Sequence, residues 1–358
     1  MLKQILKHKH VAILDGWRGL AVALVIIGHF GADLHFPWLS TLGVDLFFVL
    51  SGRLMAEILF VRKTPLPDFF ARRFSRIFPT MAIFVAVMAL ATYGTTLWSG
   101  YIGIAAAFTF TINYVIALRG SFVPVLDHLW SLCVEEHSYI LLGFVAYRYR
   151  ERAPRFAVAI IALVGLLALA NGVVQSDVFG RDFFSVFWRT DVAAAPIFIA
   201  AAMFLALGRY RDRPIIASFA PIALMLGIAA RLLAEDAFVF FGFKAILLAF
   251  AVSAIEYSGR LTRIIFEMPI LRQLGQWSFS LYLWQQPFYK MVGSEMLPLW
   301  GALPLALLCG VTSFYLIERP TRSGLNRLIA RQSGATGLLS KSRSTVSDGL
   351  QRPVDDLA

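Results

Sequence analysis

Residues 17–30 read WRGLAVALVIIGHF, an almost wholly apolar run of helix formers that carries a guanidinium at Arg18 and an imidazole at His29. A run of this kind is the signature of a membrane-embedded helix, where ionisable side chains are costly and mark function. The eleven-residue separation corresponds to a rise of roughly 16 Å, about half a hydrocarbon core. Arg18 can therefore sit near one membrane face while His29 lies inside.

The rest of the chain repeats this pattern. Of 358 residues, 58% are hydrophobic and only 15% charged. Apolar runs of spanning length fall near 14–35, 42–61, 77–97, 101–118, 129–147, 156–174, 188–207, 214–233, 237–257, 278–297 and 300–317. This predicts an all-α polytopic membrane bundle, with each helix satisfying its own backbone. The net charge of +11 comes largely from arginines in short loops between these runs, which points to membrane topology and excludes nucleic acid as the partner.

The segment 101–118 decides the number of crossings. With a cytoplasmic N-terminus and two crossings, Arg62, Lys63, Arg72, Arg73 and Arg76 lie inside, as the positive-inside rule requires. If 101–118 crosses, Arg148, Arg150, Arg152, Arg155, Arg209, Arg211 and Arg213 all fall outside. If it does not cross, they return to the cytoplasm together with Arg260, Arg263 and Arg272. Its Thr109, Thr111 and Asn113 suit non-spanning backbone buried in protein. The expectation is ten crossings with both termini cytoplasmic, eleven being the alternative.

The start, MLKQILKHKH, resembles the basic end of a signal peptide, but the apolar stretch after it holds Asp15 and Arg18 and ends in GADLHFP with no small-residue cleavage site. It is expected to be retained as the first helix. The bundle is expected over 1–331, and residues 332–358, rich in Ser, Gly and charge, read as a disordered cytoplasmic tail. Cys133 and Cys309 lie in apolar segments without ligand spacing, so neither a disulfide framework nor a metal is expected.

Three clusters have the side chains for chemistry. Asp15, Arg18 and His29 allow either an interfacial i, i+3 pair beside a hydrogen-bonded helix histidine, or a general base in a dry pocket. In LDHLWSLCVEEHSYILL (126–142), His128, Glu135, Glu136 and His137 crowd the start of one helix. The adjacent glutamates point about 100° apart, so one is expected to face the bundle interior and the other a loop or the interface. Ten crossings bring Glu135 and Glu136 into the same outer half as His29, where a carboxylate could orient the imidazole. In FFARRFSRIFP (69–79), Arg72, Arg73 and Arg76 precede a helix. Arg73 and Arg76 share a face and would offer phosphate a bidentate site.

Smaller signals accompany these. Gly43, Asp45, Ser51, Gly52 and Arg53 surround the second run, with close helix packing expected at Ser51 and Gly52. Gln285 and Gln286 are expected to bond between helices. Pro320 in IERPTR is expected to stop the last helix.

In this order the segments resemble the acyltransferase 3 family of bacterial membrane O-acyltransferases. LDGWRGLAVALVIIGHF is similar to the family's opening Arg-x10-His helix, GVDLFFVLSGRL to its second helix, ARRFSRIFP to its Arg-x-x-Arg element and WSLCVEEHSY to its WSL-x-VEE signature. LGQWSFSLYLW and IERPTR are similar to its closing helices. The resemblance runs from about residue 12 to 325. It implies that His29 is the essential base, that Arg18, Arg73 and Arg76 serve acyl-CoA, most simply acetyl-CoA, and that Ser131 and Glu135 belong to the catalytic region. Two positions depart from the pattern. Gln285 or Gln286 stands where the family often has histidine, and Arg53 where it has a large apolar residue.

The implied reaction is transfer of an acyl group to a hydroxyl of a glycan or lipid-linked sugar at a bacterial inner membrane. No appended hydrolase-like domain is expected after the bundle. The main competing class is a proton-coupled secondary transporter using His29 and Glu135, against which the lack of internal repeats argues. A non-catalytic scaffold is the third reading.

Overall fold

The computed structural model describes residues 12–31, 38–232 and 237–329, and within them every regular element is helical. The proposed tail at 332–358 lies outside the described residues. In chain order the α-helices of seven residues or more are α1 (Ala12–Phe30), α2 (Trp38–Ala56), α3 (Leu66–Ala91), α4 (Gly100–Phe108), α5 (Ile112–Arg119), α6 (Trp130–Tyr149), α7 (Pro154–Val173), α8 (Ala195–Leu207), α9 (Pro214–Leu232), α10 (Lys244–Ala254), α11 (Arg260–Phe266), α12 (Pro269–Gly293) and α13 (Leu299–Ser313). Among the described residues, seven helices are long and apolar enough to cross a membrane. Three others, the continuous stretch 38–61, α6 and α12, have the length but carry charged groups such as Asp45, Glu135 and Lys290.

The segment 101–118 is broken. Its nine-residue α4 and eight-residue α5 are separated by Thr109–Thr111, where Phe110 takes a positive φ of 53°. At about 1.5 Å per residue, neither piece reaches half-way across a hydrocarbon core. Asn113 is fully buried, and its amide donates to the Trp188 carbonyl at 3.3 Å and to Thr190 Oγ1 at 3.0 Å, so the irregular backbone is held against protein.

Pro320 does not end the last helix, which runs from Leu299 to Ile329. A π turn at Phe314–Glu318 shifts the hydrogen-bond register just before the proline, and Thr321 Oγ1 donates to the Ile317 carbonyl at 2.6 Å. These adjustments absorb the missing N–H. The continuation packs onto α3, where Ser75 Oγ donates to Asn326 Oδ1 at 2.9 Å.

Helix α1 is the centre of the assembly, packed between α12 and α2, while α2 also packs on α8. Glycines set these contacts. A Cβ on Gly16 would stand 1.7 Å from the Phe266 carbonyl oxygen, one on Gly19 1.9 Å from that of Leu271, and one on Gly275 1.9 Å from that of Asp15. Gly28 meets the Ser40 backbone, Gly43 the Ala21 carbonyl and Gly52 the Ile197 carbonyl in the same way. Backbone approach of this kind replaces the hydrophobic drive that lipid does not supply. Trp17, fully buried, adds a hydrogen bond from its indole N–H to the Leu46 carbonyl at 2.9 Å.

Gly275→Leu should therefore prevent α1 and α12 from meeting and yield little monodisperse protein on size-exclusion chromatography in detergent. Gly293→Leu, where an added Cβ meets nothing within 4 Å, should elute like the parent. Equal behaviour of the two variants would contradict this packing.

Candidate active site

Three adjoining cavities follow α1 through the bundle. The first is a polar mouth bordered by Arg18, Arg62, Arg76 and Arg322 together with Asp15, Glu57 and Glu318. The second, deeper and more apolar, shares Arg18, Arg76, Ser278 and Phe279 with the mouth and adds Ser51, Arg73, Ser131 and Glu135. The third contains His29, Asp127, His128, Gln286, Tyr289 and Lys290. Val44 and Tyr282 line both the second and the third, forming the partition between them.

At the mouth, Arg18 is held by Asp15 at 2.9 Å, the expected i, i+3 pair. Arg62 is held by Glu57 at 2.5 Å. Arg76 and Arg322 make no ion pair among the described residues, which leaves two guanidinium groups available to an anion. Glu318 is engaged by Ser280, whose hydroxyl donates at 2.7 Å. The arginines brought together are thus Arg18, Arg76 and Arg322, the last supplied by the helical continuation past Pro320. Arg72, the remaining arginine of the 69–79 cluster, is exposed and borders none of the three cavities, because it projects about 100° from Arg73 around the helix. Arg53 is 1% exposed, paired with Glu256 at 2.7 Å and Glu57 at 3.3 Å, and borders none of the three cavities.

In the second cavity Arg73 lies between both glutamates, 3.4 Å from Glu136 and 3.7 Å from Glu135, with its guanidinium 4.1 Å from the centre of the Tyr139 ring. Glu135 lines this cavity and Glu136 borders none of the three, yet Arg73 reaches both carboxylates. The second oxygen contact of Glu135 is Ser51, whose hydroxyl donates at 2.6 Å. Ser51 therefore serves this carboxylate, while Gly52 makes the close helix contact. Ser131 pairs with the Tyr282 hydroxyl at 2.8 Å, and that hydroxyl donates to the His128 carbonyl at 2.6 Å.

The expected His29–Glu135 contact is absent from the structure. His29 Nδ1 instead meets Gln285 Oε1 at 2.8 Å, and the imidazole stacks on Tyr289 with ring centres 4.5 Å apart. Glu135 stands beyond the Tyr282 partition. Gln285, Gln286, Asp127, Tyr282 and Lys290 are the site groups that sequence reasoning did not assign. Intramembrane polarity at Asp127 and Lys290 was the available signal, but their ion pair of 2.6 Å joins positions far apart in the chain. His128 is 4% exposed and both its ring nitrogens lack a partner among the described residues, as in a cavity shaped for a polar ligand. Among the described residues, no group of three or more His, Cys, Asp or Glu is placed to hold a metal.

Seven helices long and apolar enough to cross a membrane, among the described residues, with a cationic mouth at one end of a cavity series and a histidine at the other, mark a multi-pass membrane protein. The chain matches the acyltransferase domain family over residues 11–318, and it belongs to this acyltransferase 3 family. It is 27% identical to the peptidoglycan O-acetyltransferase OatA of Listeria monocytogenes, over 88% of this chain and 56% of that protein. It is 26% identical to the O-acetyltransferase OatA of Staphylococcus aureus, over 90% of this chain and 58% of that one. The chain thus spans less than two thirds of these relatives' length. No solved structure matches it.

Removing Arg73 leaves two largely buried carboxylates without their shared cation, a loss that costs roughly 3 kcal/mol or more. Arg73→Ala should lower the thermal midpoint in detergent, and Glu135→Gln with Glu136→Gln on that background should restore part of it. An unchanged midpoint in Arg73→Ala would count against the ion-pair assignment.

Proposed function

We propose that this chain is a bacterial inner-membrane O-acyltransferase that moves an acetyl group from acetyl-CoA to a hydroxyl of a surface glycan or lipid-linked sugar. The observation that carries the reading is the cavity series itself, which starts at unpaired arginines and ends at His29. Family membership supports acyl transfer, the names of both relatives support acetyl as the group, and the name of the Listeria relative supports a cell-wall glycan as the acceptor class.

On this reading the seven apolar helices and the three charged ones are the ten crossings, and α4 and α5 do not span. Cytoplasmic termini then put the arginine mouth on the side where CoA is available and His29 in the outer half. Arg76 and Arg322, with Arg18 behind them, would hold the phosphates of CoA through charge-assisted hydrogen bonds. The pantetheine arm, a slender chain with amide groups, fits a cavity whose walls alternate Phe47, Leu54 and Phe279 with Ser51, Ser131 and Ser278. Arg73 and Glu135 shape that passage, and Glu136 anchors Arg73. Beyond Tyr282, the third cavity combines aromatic faces at Phe122, Trp130 and Tyr289 with polar groups at His128 and Gln286, a lining suited to a sugar.

His29 acts there as general base. The acceptor oxygen attacks the thioester carbonyl, its proton passes to His29 Nε2, the new C–O bond forms as the C–S bond breaks, and the proton ends on the CoA thiolate. General base action of this kind is worth about 10²–10⁴-fold in rate.

In proteoliposomes loaded with radiolabelled acetyl-CoA and a purified glycan fraction, His29→Ala should lose acetyl transfer by at least about a hundredfold while inserting normally. Full activity would sink the base assignment. Arg76→Ala with Arg322→Ala should raise the KM for acetyl-CoA about tenfold or more with little change in kcat, since charged hydrogen bonds contribute roughly 1.5–3 kcal/mol each. An unchanged KM would remove the mouth from the donor site.

A further inference from the structure

Asp127 lies in the short turn that precedes α6, and both its carboxylate oxygens are engaged by donors. Oδ2 accepts from Lys290 Nζ at 2.6 Å, and Oδ1 accepts from Gln286 Nε2 at 2.5 Å. A carboxylate held by a lysine has no proton to give, so it dictates which end of the Gln286 amide faces it. With the NH2 of Gln286 committed to Asp127, its carbonyl oxygen faces the next side chain. Gln285 Nε2 donates to that oxygen at 3.1 Å and also lies 3.4 Å from the Tyr282 carbonyl. The NH2 of Gln285 is therefore committed as well, and only its carbonyl oxygen is left for His29 Nδ1 at 2.8 Å.

A carbonyl oxygen accepts and cannot donate. His29 must then carry its ring proton on Nδ1, which leaves the lone pair on Nε2. We propose that Asp127 is a positioning residue that fixes the tautomer of His29 through Gln286 and Gln285, so that Nε2 is always the basic nitrogen. This rests on the reading of His29 as the base.

Burial gives the relay its stiffness. Asp127 and Gln286 are each 3% exposed and Gln285 is 1% exposed, so a reversed amide would set donor against donor or acceptor against acceptor in a dry environment. The other groups facing His29 leave Nδ1 to Gln285. Tyr289 stacks on the ring face, Lys290 is paired with Asp127, and the His128 ring makes no hydrogen bond among the described residues. Nothing in this arrangement requires a carboxylate to touch the imidazole. The ion pair instead sets the direction in which two neutral amides point.

The test uses the full chain in nanodiscs with ¹⁵N-labelled histidine, His29 being assigned from the signal lost in His29→Gln. The parent should show His29 as the Nδ1–H tautomer. Gln286→Met, which keeps side-chain volume and leaves the Asp127–Lys290 pair intact, should let Gln285 turn and give a mixture of tautomers. It should lower kcat at least tenfold, towards the roughly 10⁴-fold loss that a wrong tautomer causes in serine-protease triads, with KM for acetyl-CoA unchanged. Asp127→Asn should act in the same direction and Asp127→Glu should restore part of the loss.

An Nε2–H tautomer in the parent, or a Gln286→Met protein with the parent's tautomer and kcat, would overturn the relay. The tautomer is read without turnover, so an active His29→Ala variant would defeat the base assignment while leaving the relay standing on its own measurement.

Discussion

A charge inside hydrocarbon has no water to compensate it, and most of the polar architecture of this bundle answers to that constraint. Asp45 is joined to Lys244, Arg53 to Glu57 and Glu256, Arg73 to Glu135 and Glu136, and Asp127 to Lys290. Several of these pairs connect helices distant in sequence, so they hold the bundle in register as well as neutralising one another. The places where the rule is relaxed are then informative. Arg76 and Arg322 stand without an ion pair among the described residues at one end of the cavity series, and His128 stands without a hydrogen bond from its ring at the other.

On the proposed function, this contrast lets one fold handle two unlike molecules. The mouth offers positive charge, which suits phosphates. The far cavity offers flat aromatic surfaces and neutral hydrogen-bonding groups, which discriminate by shape and direction. Between them Tyr282 is held on two sides, by Ser131 and by the His128 carbonyl.

Much of this could be read in the chain. WRGLAVALVIIGHF marked α1 with its two polar ends, arginine placement singled out 101–118, which the structure breaks into two short helices, and Arg18, Arg73, Arg76, Ser131, Glu135 and His29 all reached the cavities. The signals used were local, namely hydropathy, loop charge and spacing within a helix. What escaped were contacts between distant segments. His29 and Gln285 lie 256 positions apart, and no periodicity announces that pair. The contact expected between His29 and Glu135 rested on their sharing a membrane half, and sharing a depth does not put two side chains on one side of a partition. Arg72 shows a related limit, because a basic cluster does not reveal which of its members turns outward.

The glycine contacts along α1 bear on motion. With Gly19 and Gly275 bringing α1 and α12 backbone to backbone, Gly16 setting α1 against the end of α11, and Gly28 and Gly43 doing the same for α2, backbone meets backbone at these contact points. Such joints resist sliding and tilting, so the three helices behave as a single stator. A carrier that rocks its halves around a central site would have to shear them apart. These contacts would keep His29 at one depth, on the same rigid body as the mouth-side Arg18.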